Sequence, residues 1–181
     1  MQKYLGALVS LLMLFFQSCS TDKSEVQAIR YFDIPGFFRS EIDALEASNS
    51  SVIKTVETDG KTEQKQVRPA SWRDELAVFS AFDLNKSSFI GKYQVDSTIK
   101  GDLLFLNYQS LDAKLPIKNC ALTFKNSQLI TAQAHKLESS LVLKSEMRWR
   151  FVPDSGYSVS GSQQVRGLEP TLYFVSAIFA N

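Results

Sequence analysis

The chain of 181 residues carries 20 basic and 19 acidic groups with a single histidine, and 44% of it is apolar. A balance this close to neutral supplies neither the basic patch expected of a nucleic-acid binder nor a polybasic surface for anionic lipid. The apolar content is enough for one buried core, and the length suits one domain.

Lys3 opens the chain as a short positive segment, and residues 4–16 form a thirteen-residue run without a charged group. This has the makeup of a signal-peptide core. It is too short for a spanning helix, which needs about 20 apolar residues to cross about 30 Å of hydrocarbon. Phe16-Gln17-Ser18-Cys19 follows directly. The tetrapeptide resembles the lipobox of bacterial lipoproteins, in which a small residue precedes a cysteine that is acylated and becomes the mature N-terminus. Ser18 and Cys19 match that pattern, whereas Phe16 and Gln17 depart from its strictest form. The resemblance implies a lipid anchor on Cys19, removal of residues 1–18, and placement in the cell envelope at the outer membrane, on its periplasmic or its surface side. Loss of residues 1–18 removes one charged residue, Lys3, and leaves basic and acidic groups equal in number. Residues 19–30 are polar and read as a tether, with residues 31–181 as a single domain. Asp22 and Glu25 weakly resemble the acidic stretch that directs some lipoproteins to the cell surface.

Residues 37–48 repeat Phe38, Ile42 and Leu45 at helical spacing, predicting an amphipathic helix. The neighbouring aromatics Tyr31, Phe32, Phe37 and Phe38 are expected to pack on a sheet. Thr58-Asp59-Gly60 predicts a hairpin, because Asp-Gly tolerates positive φ at both central positions. Its second arm, residues 61–67, offers little to bury and reads as an edge strand guarded by charge. Ser71 with Asp74 approximates a capping box, and Trp72, Leu76, Phe79 and Phe82 form one stripe, predicting a second helix through residues 71–82.

The rest reads as a meander, with strands over residues 89–95, 102–109, 117–124, 128–135, 139–152, 157–165 and 171–180. In the fifth, Leu141, Leu143, Met147, Trp149 and Phe151 alternate with Val142, Lys144, Glu146, Arg148 and Arg150, giving one buried and one wet face. The last carries apolar residues on both faces and is expected to be covered on both. The fold class is therefore α+β: a mostly antiparallel meander sheet, flat or curved into a half-barrel, with two amphipathic helices packed on it.

Tyr31-Phe32-Asp33-Ile34-Pro35-Gly36-Phe37-Phe38, together with Trp72-Arg73-Asp74-Glu75-Leu76 and the closing strands, is similar to a family of small uncharacterised lipoproteins of the Bacteroidota. That likeness implies location and no activity. Helices followed by a long antiparallel meander also resemble the half-barrel of the LolA and LolB lipoprotein carriers, in architecture alone.

The sequence holds no Gly-rich phosphate loop, no His-Glu-x-x-His, no Cys-x-x-Cys and no Gly-x-Ser-x-Gly. No catalytic residue, metal ligand or cofactor is assigned. If Cys19 carries lipid, Cys120 has no disulfide partner and reads as a core residue, since a nucleophile would need His135 as its base. Two functions remain in competition: a non-enzymatic binding or assembly module with an envelope protein or glycan partner, and a carrier whose Leu141, Leu143, Met147, Trp149 and Phe151 line a cavity for an apolar ligand. A hydrolase using carboxylates gathered from distant strands ranks last. Cys19→Ala is expected to abolish incorporation of labelled fatty acid and to release the protein from membranes; a variant that still takes up label or still sediments with membranes refutes the anchor.

Overall fold

In the computed structural model, which describes residues 31–180, the longest helix starts at an aspartate. Asp33 accepts a hydrogen bond from the Gly36 amide at 2.9 Å, and Pro35 fits the first turn, where its missing N–H costs nothing. Helix α1 (Ile34–Ala47) therefore begins three residues earlier than its apolar period suggested. Gly36 is required here, because a Cβ on it would lie 2.1 Å from the capping carboxylate of Asp33. Ile34, Phe38 and Ile42 recur every fourth residue and form its buried face.

Strands β1 (Ser51–Thr58) and β2 (Lys61–Val67) turn at Asp59 and Gly60, with φ of 49° and 76°. These are the positive values that a two-residue hairpin with the twist of its strands demands. All seven residues of β2 are exposed, and it forms one edge of the sheet.

The second helix is broken. Residues 71–82 hold two four-residue turns, α2 (Trp72–Glu75) and α3 (Ala77–Ser80), separated at Leu76, where φ is −98° and ψ is 10°. Beyond the break the backbone tightens: the amides of Phe79 and Phe82 donate to carbonyls three residues back. The bend has a packing cause. Trp72 is aimed at Phe179, while Phe79 and Phe82 reach Trp149 two strands away, and one straight helix would not serve both targets.

After a 3₁₀ turn at Ser87–Phe89, the chain runs through β3 (Tyr93–Lys100), β4 (Leu103–Ser110), β5 (Ile117–Lys125), β6 (Gln128–Ser139), β7 (Leu143–Val152), β8 (Gly156–Val165) and β9 (Thr171–Ala180). Each pairs antiparallel with the next, and β1 pairs with β9. The outcome is one open nine-stranded sheet of order β2-β1-β9-β8-β7-β6-β5-β4-β3.

Three expectations are corrected. The first meander strand starts at Tyr93 and not at residue 89, because Phe89 is drawn into the core and Gly91 turns the chain with φ of 75°. The fifth starts at Leu143, because the Ser140 hydroxyl accepts the Leu143 amide at 3.0 Å and closes a turn, leaving Leu141 in it. Strand β9 lies well inside the sheet but is covered on one face only: Ala177 is 2% exposed, whereas Leu172 and Ile178, on the other face, are 61% and 62% exposed.

The covered face, called inner below, holds the core. Phe38 of α1 stacks on Phe79 of α3 at 5.4 Å and meets Phe151 edge-on at 4.9 Å. Trp149 receives the edges of Phe79 and Phe82 at 5.2 Å and 5.0 Å. Such offset and T-shaped contacts contribute about 0.5–1.5 kcal/mol each beyond area burial. Tyr31, Phe32 and Phe37 join them on the sheet, Tyr31 against Tyr93 and Tyr108, Phe32 against Phe124 and Phe37 against Phe151.

One polar group fastens this layer. The Glu75 carboxylate, its side chain 16% exposed, accepts from Lys54 Nζ of β1 at 2.7 Å and from the Tyr157 hydroxyl of β8. Burial, reinforced by that bond to Glu75, pushes the Tyr157 hydroxyl far above its ordinary range and keeps it a donor. Removing one member strands the others. Glu75→Ala is expected to lower stability by about 2 kcal/mol, or about 4–8 °C in Tm for a chain of this size, with the sheet intact by circular dichroism. An unchanged melting temperature would deny the fastening.

Candidate functional site

Cys19 and residues 1–30 lie outside the described residues. Among the described residues no helix is long and apolar enough to cross a membrane, and no group of three His, Cys, Asp or Glu side chains is placed to hold a metal ion.

Four of the five residues predicted to line a cavity are spread along the inner face of β7, and Leu141 lies in the turn before it. Phe151 and Trp149 are 0% and 3% exposed and lie beneath Phe38, Phe79 and Phe82. Met147 is half-buried, and its cross-strand partner on β8 is Gly161, over which the Tyr173 ring lies. Leu143 is 39% exposed and Leu141 87%. These two border a shallow depression of about 330 Å³ at the far end of the sheet with Val142, Gln164 and Arg166. The fold brings Trp149 and Phe151 together, and fills the space above them with helix side chains.

Cys120 and His135 are kept apart by the sheet itself. Cys120 pairs with Ala134, and Asn119 with His135, so the thiol faces the core and the imidazole the opposite face. Burial pushes the Cys120 thiol up to about 12, which leaves no thiolate to react near neutral pH.

Two polar constellations remain. The first is a groove of about 520 Å³ between α1, the start of β6 and the turn that follows β7. Phe37, Leu129, Ile130, Val152 and Pro153 wall it, and Glu41 and Asp154 face into it. Burial, then the negative charge of Asp154, raises the Glu41 carboxyl above its ordinary value of 4.5. Asp154 holds a left-handed φ of 59°, in the turn that the sequence marks as Pro153-Asp154-Ser155-Gly156.

The second lies on the outer face, opposite the helices. Register places Gln133, Arg150, Ser158 and Ser176 side by side across β6 to β9. The adjacent row, from β5 to β9, holds Asn119, His135, Arg148, Ser160 and Phe174. His135 Nε2 donates to Glu146 Oε1 at 3.0 Å, and Arg148 Nη2 donates to the same oxygen. Asn107, Asn119, Gln133, His135 and Arg148 border a depression of about 400 Å³, floored at the small side chain of Ala121. The surface offers amide, hydroxyl, imidazole and guanidinium groups in ranks, with β7 contributing both arginines. The alternation of Lys144, Glu146, Arg148 and Arg150 marked that strand's wet face in advance; the ranks across strands depend on register, which no local pattern carries.

Comparison with protein-family models, with curated proteins and with solved structures finds no match for this chain.

The groove yields a pH prediction. A carboxyl whose folded pKa is raised contributes stability that is fully present below its unfolded pKa and is lost as pH rises through the folded one. Glu41→Gln is therefore expected to leave stability more nearly constant than wild type from pH 4.5 upward, and to make the protein the more stable of the two near neutral pH. Parallel stability curves for the two proteins across that interval, measured in denaturant, would contradict it.

Proposed function

We propose that the protein is a lipid-anchored lipoprotein of the cell envelope that acts as a non-enzymatic binding or assembly module, tethered by residues 19–30 and meeting an envelope protein or glycan. The address rests on residues 1–19, with their uncharged core and the lipobox-like Phe16-Gln17-Ser18-Cys19. The single observation that carries the binding role is the aromatic plug of Phe38, Phe79, Phe82, Trp149 and Phe151, which occupies the hollow a carrier would need. With the middle of that face filled, the exposed ranks of the outer face are the broad polar surface that supports recognition.

The carrier reading keeps one specific support. Val95 and Ile99, 47% and 75% exposed, share the inner face with buried Tyr108 and half-buried Leu104, so the apolar surface continues past the helices toward edge strand β3. A sheet curved into a half-barrel like that of LolA and LolB would shelter an acyl chain there, with α1 lifting to admit more of it.

Mild-detergent pull-downs of the native full chain are expected to recover an envelope component in near-stoichiometric yield, and native mass spectrometry to show the chain free of lipid. Recovery of the chain alone removes the module reading. A co-purified lipid that is lost when Ile99 is changed to Lys transfers the function to the carrier.

A further inference from the structure

The outer face of β7 to β9 is not composed as a merely solvated surface. Solvated sheet faces intersperse charges of both signs, as β7 does with Lys144, Glu146, Arg148 and Arg150, whereas the outward positions of β8 and β9 carry none. Here β8 presents Ser158, Ser160 and Ser162 in succession, β9 adds Ser176 beside Ser158, and β7 borders them with Arg150 and Arg148. The short hydroxyl side chains form the floor of a trough. The two guanidiniums rise on one side of it and Phe174, 38% exposed, on the other.

The charge beside this trough is unbalanced at Arg150. Arg148 and Arg150 are two positions apart on one strand, about 7 Å, where two like charges repel. Of the two carboxylates on the outer face of β7, β8, β9 and β1, Glu146 is already engaged by both His135 and Arg148, and Glu57 of β1 lies beyond Phe174, three strands from Arg148 and Arg150. Arg150 is exposed and has no carboxylate within 4.0 Å among the described residues; its cross-strand neighbours are Gln133 and Ser158. An anion between the two arginines would relieve the repulsion and accept charge-assisted hydrogen bonds.

The rest of the trough says what carries the anion. A peptide adding as a strand needs an open sheet edge, and β7, β8 and β9 are paired on both sides. What the face offers instead is hydroxyl, amide and guanidinium groups repeating across strands about 4.8 Å apart, comparable to the length of one pyranose unit. Such groups donate to and accept from sugar hydroxyls, and an exposed aromatic ring covers the apolar C–H face of a sugar. We infer that this face binds an acidic polysaccharide: a uronate carboxylate on Arg150 and Arg148, ring hydroxyls on Ser158, Ser160 and Ser176, and a pyranose face on Phe174. The assignment deepens the binding-module reading and rests on it.

Affinity electrophoresis of the full chain tests it, with polygalacturonate, alginate and hyaluronate in the gel, against dextran and carboxyl-reduced polygalacturonate. At least one uronate polymer is expected to retard the wild type, and dextran to leave it unmoved. If polygalacturonate is a binder, carboxyl reduction weakens its effect. Arg150→Ala is expected to weaken binding by about tenfold and Arg150→Lys to restore only part of it, since a lysine lacks the two-pronged geometry. Phe174→Ala is expected to weaken it several-fold, and Lys100→Ala, on edge strand β3 at the other end of the sheet, to change nothing. Each variant is to melt within a degree or two of wild type, as surface substitutions do. Retardation by none of the three polymers overturns the assignment, as does an Arg150→Ala protein that binds like wild type. So does equal binding to polyglutamate, which would mark a generic anion site, or vesicle binding that requires phosphatidylglycerol over phosphatidylcholine and is lost in Arg150→Ala, which would mark a lipid surface. If an envelope partner is still recovered in pull-downs while every polymer fails, the glycan assignment alone falls and the binding module stands.

Discussion

Everything in this fold depends on a plug of aromatic rings set against one side of a single sheet. Phe38 and Phe79 stack on each other and close over Phe151 and Trp149, and these four are between 0% and 3% exposed. A sheet needs such cover on at least one face to repay the conformational entropy of ordering it, and a lone two-stranded arm like β1–β2 would not persist without it. Once one helix and two short turns have covered the inner side, nothing in the described chain is left to cover the other. The outer face is polar in its central ranks for that reason, and its chemistry is free to be chosen for something besides packing.

Local rules and distant ones divided the legibility of the sequence. Asp59-Gly60 announced its hairpin because positive φ at both turn positions is a property of those two residues. The alternation through β7 announced Trp149 and Phe151 as inward and Arg148 and Arg150 as outward, because period two is a property of any strand. The stripe of Trp72, Leu76, Phe79 and Phe82 was legible as a buried face, and all four are buried. Its break at Leu76 was not, because the break answers to targets on β7 and β9 that a helical period does not contain. The same limit hid the alignment of β1 against β9. The ranks on the outer face were hidden too, because they depend on the register of four successive pairings from β5 to β9. Leu141 was misplaced on a strand face for a smaller reason: the Ser140 hydroxyl captures the Leu143 amide and spends the intervening residues on a turn.

The same reasoning separates the polar groups by role. Glu75 is nearly enclosed and bonded to partners on β1 and β8, so it joins layers. Glu41 is half-enclosed beside another carboxylate and strains against its surroundings. Glu146 lies on the open face and orients an imidazole and a guanidinium. Three glutamates thus differ by what faces them, and only the last stands where a large ligand has access. On the reading proposed above, a tether of about a dozen residues would give that open face room to meet an extended partner away from the bilayer.

The seating of β9 has a consequence for how the protein comes into being. The last of the described strands in chain order is an interior one, zipped between β8 and β1, and among them it alone connects the N-terminal hairpin to the meander. Until it is in place the two parts of the sheet have no common backbone ladder, so the hairpin joins the rest only as the last ladder closes.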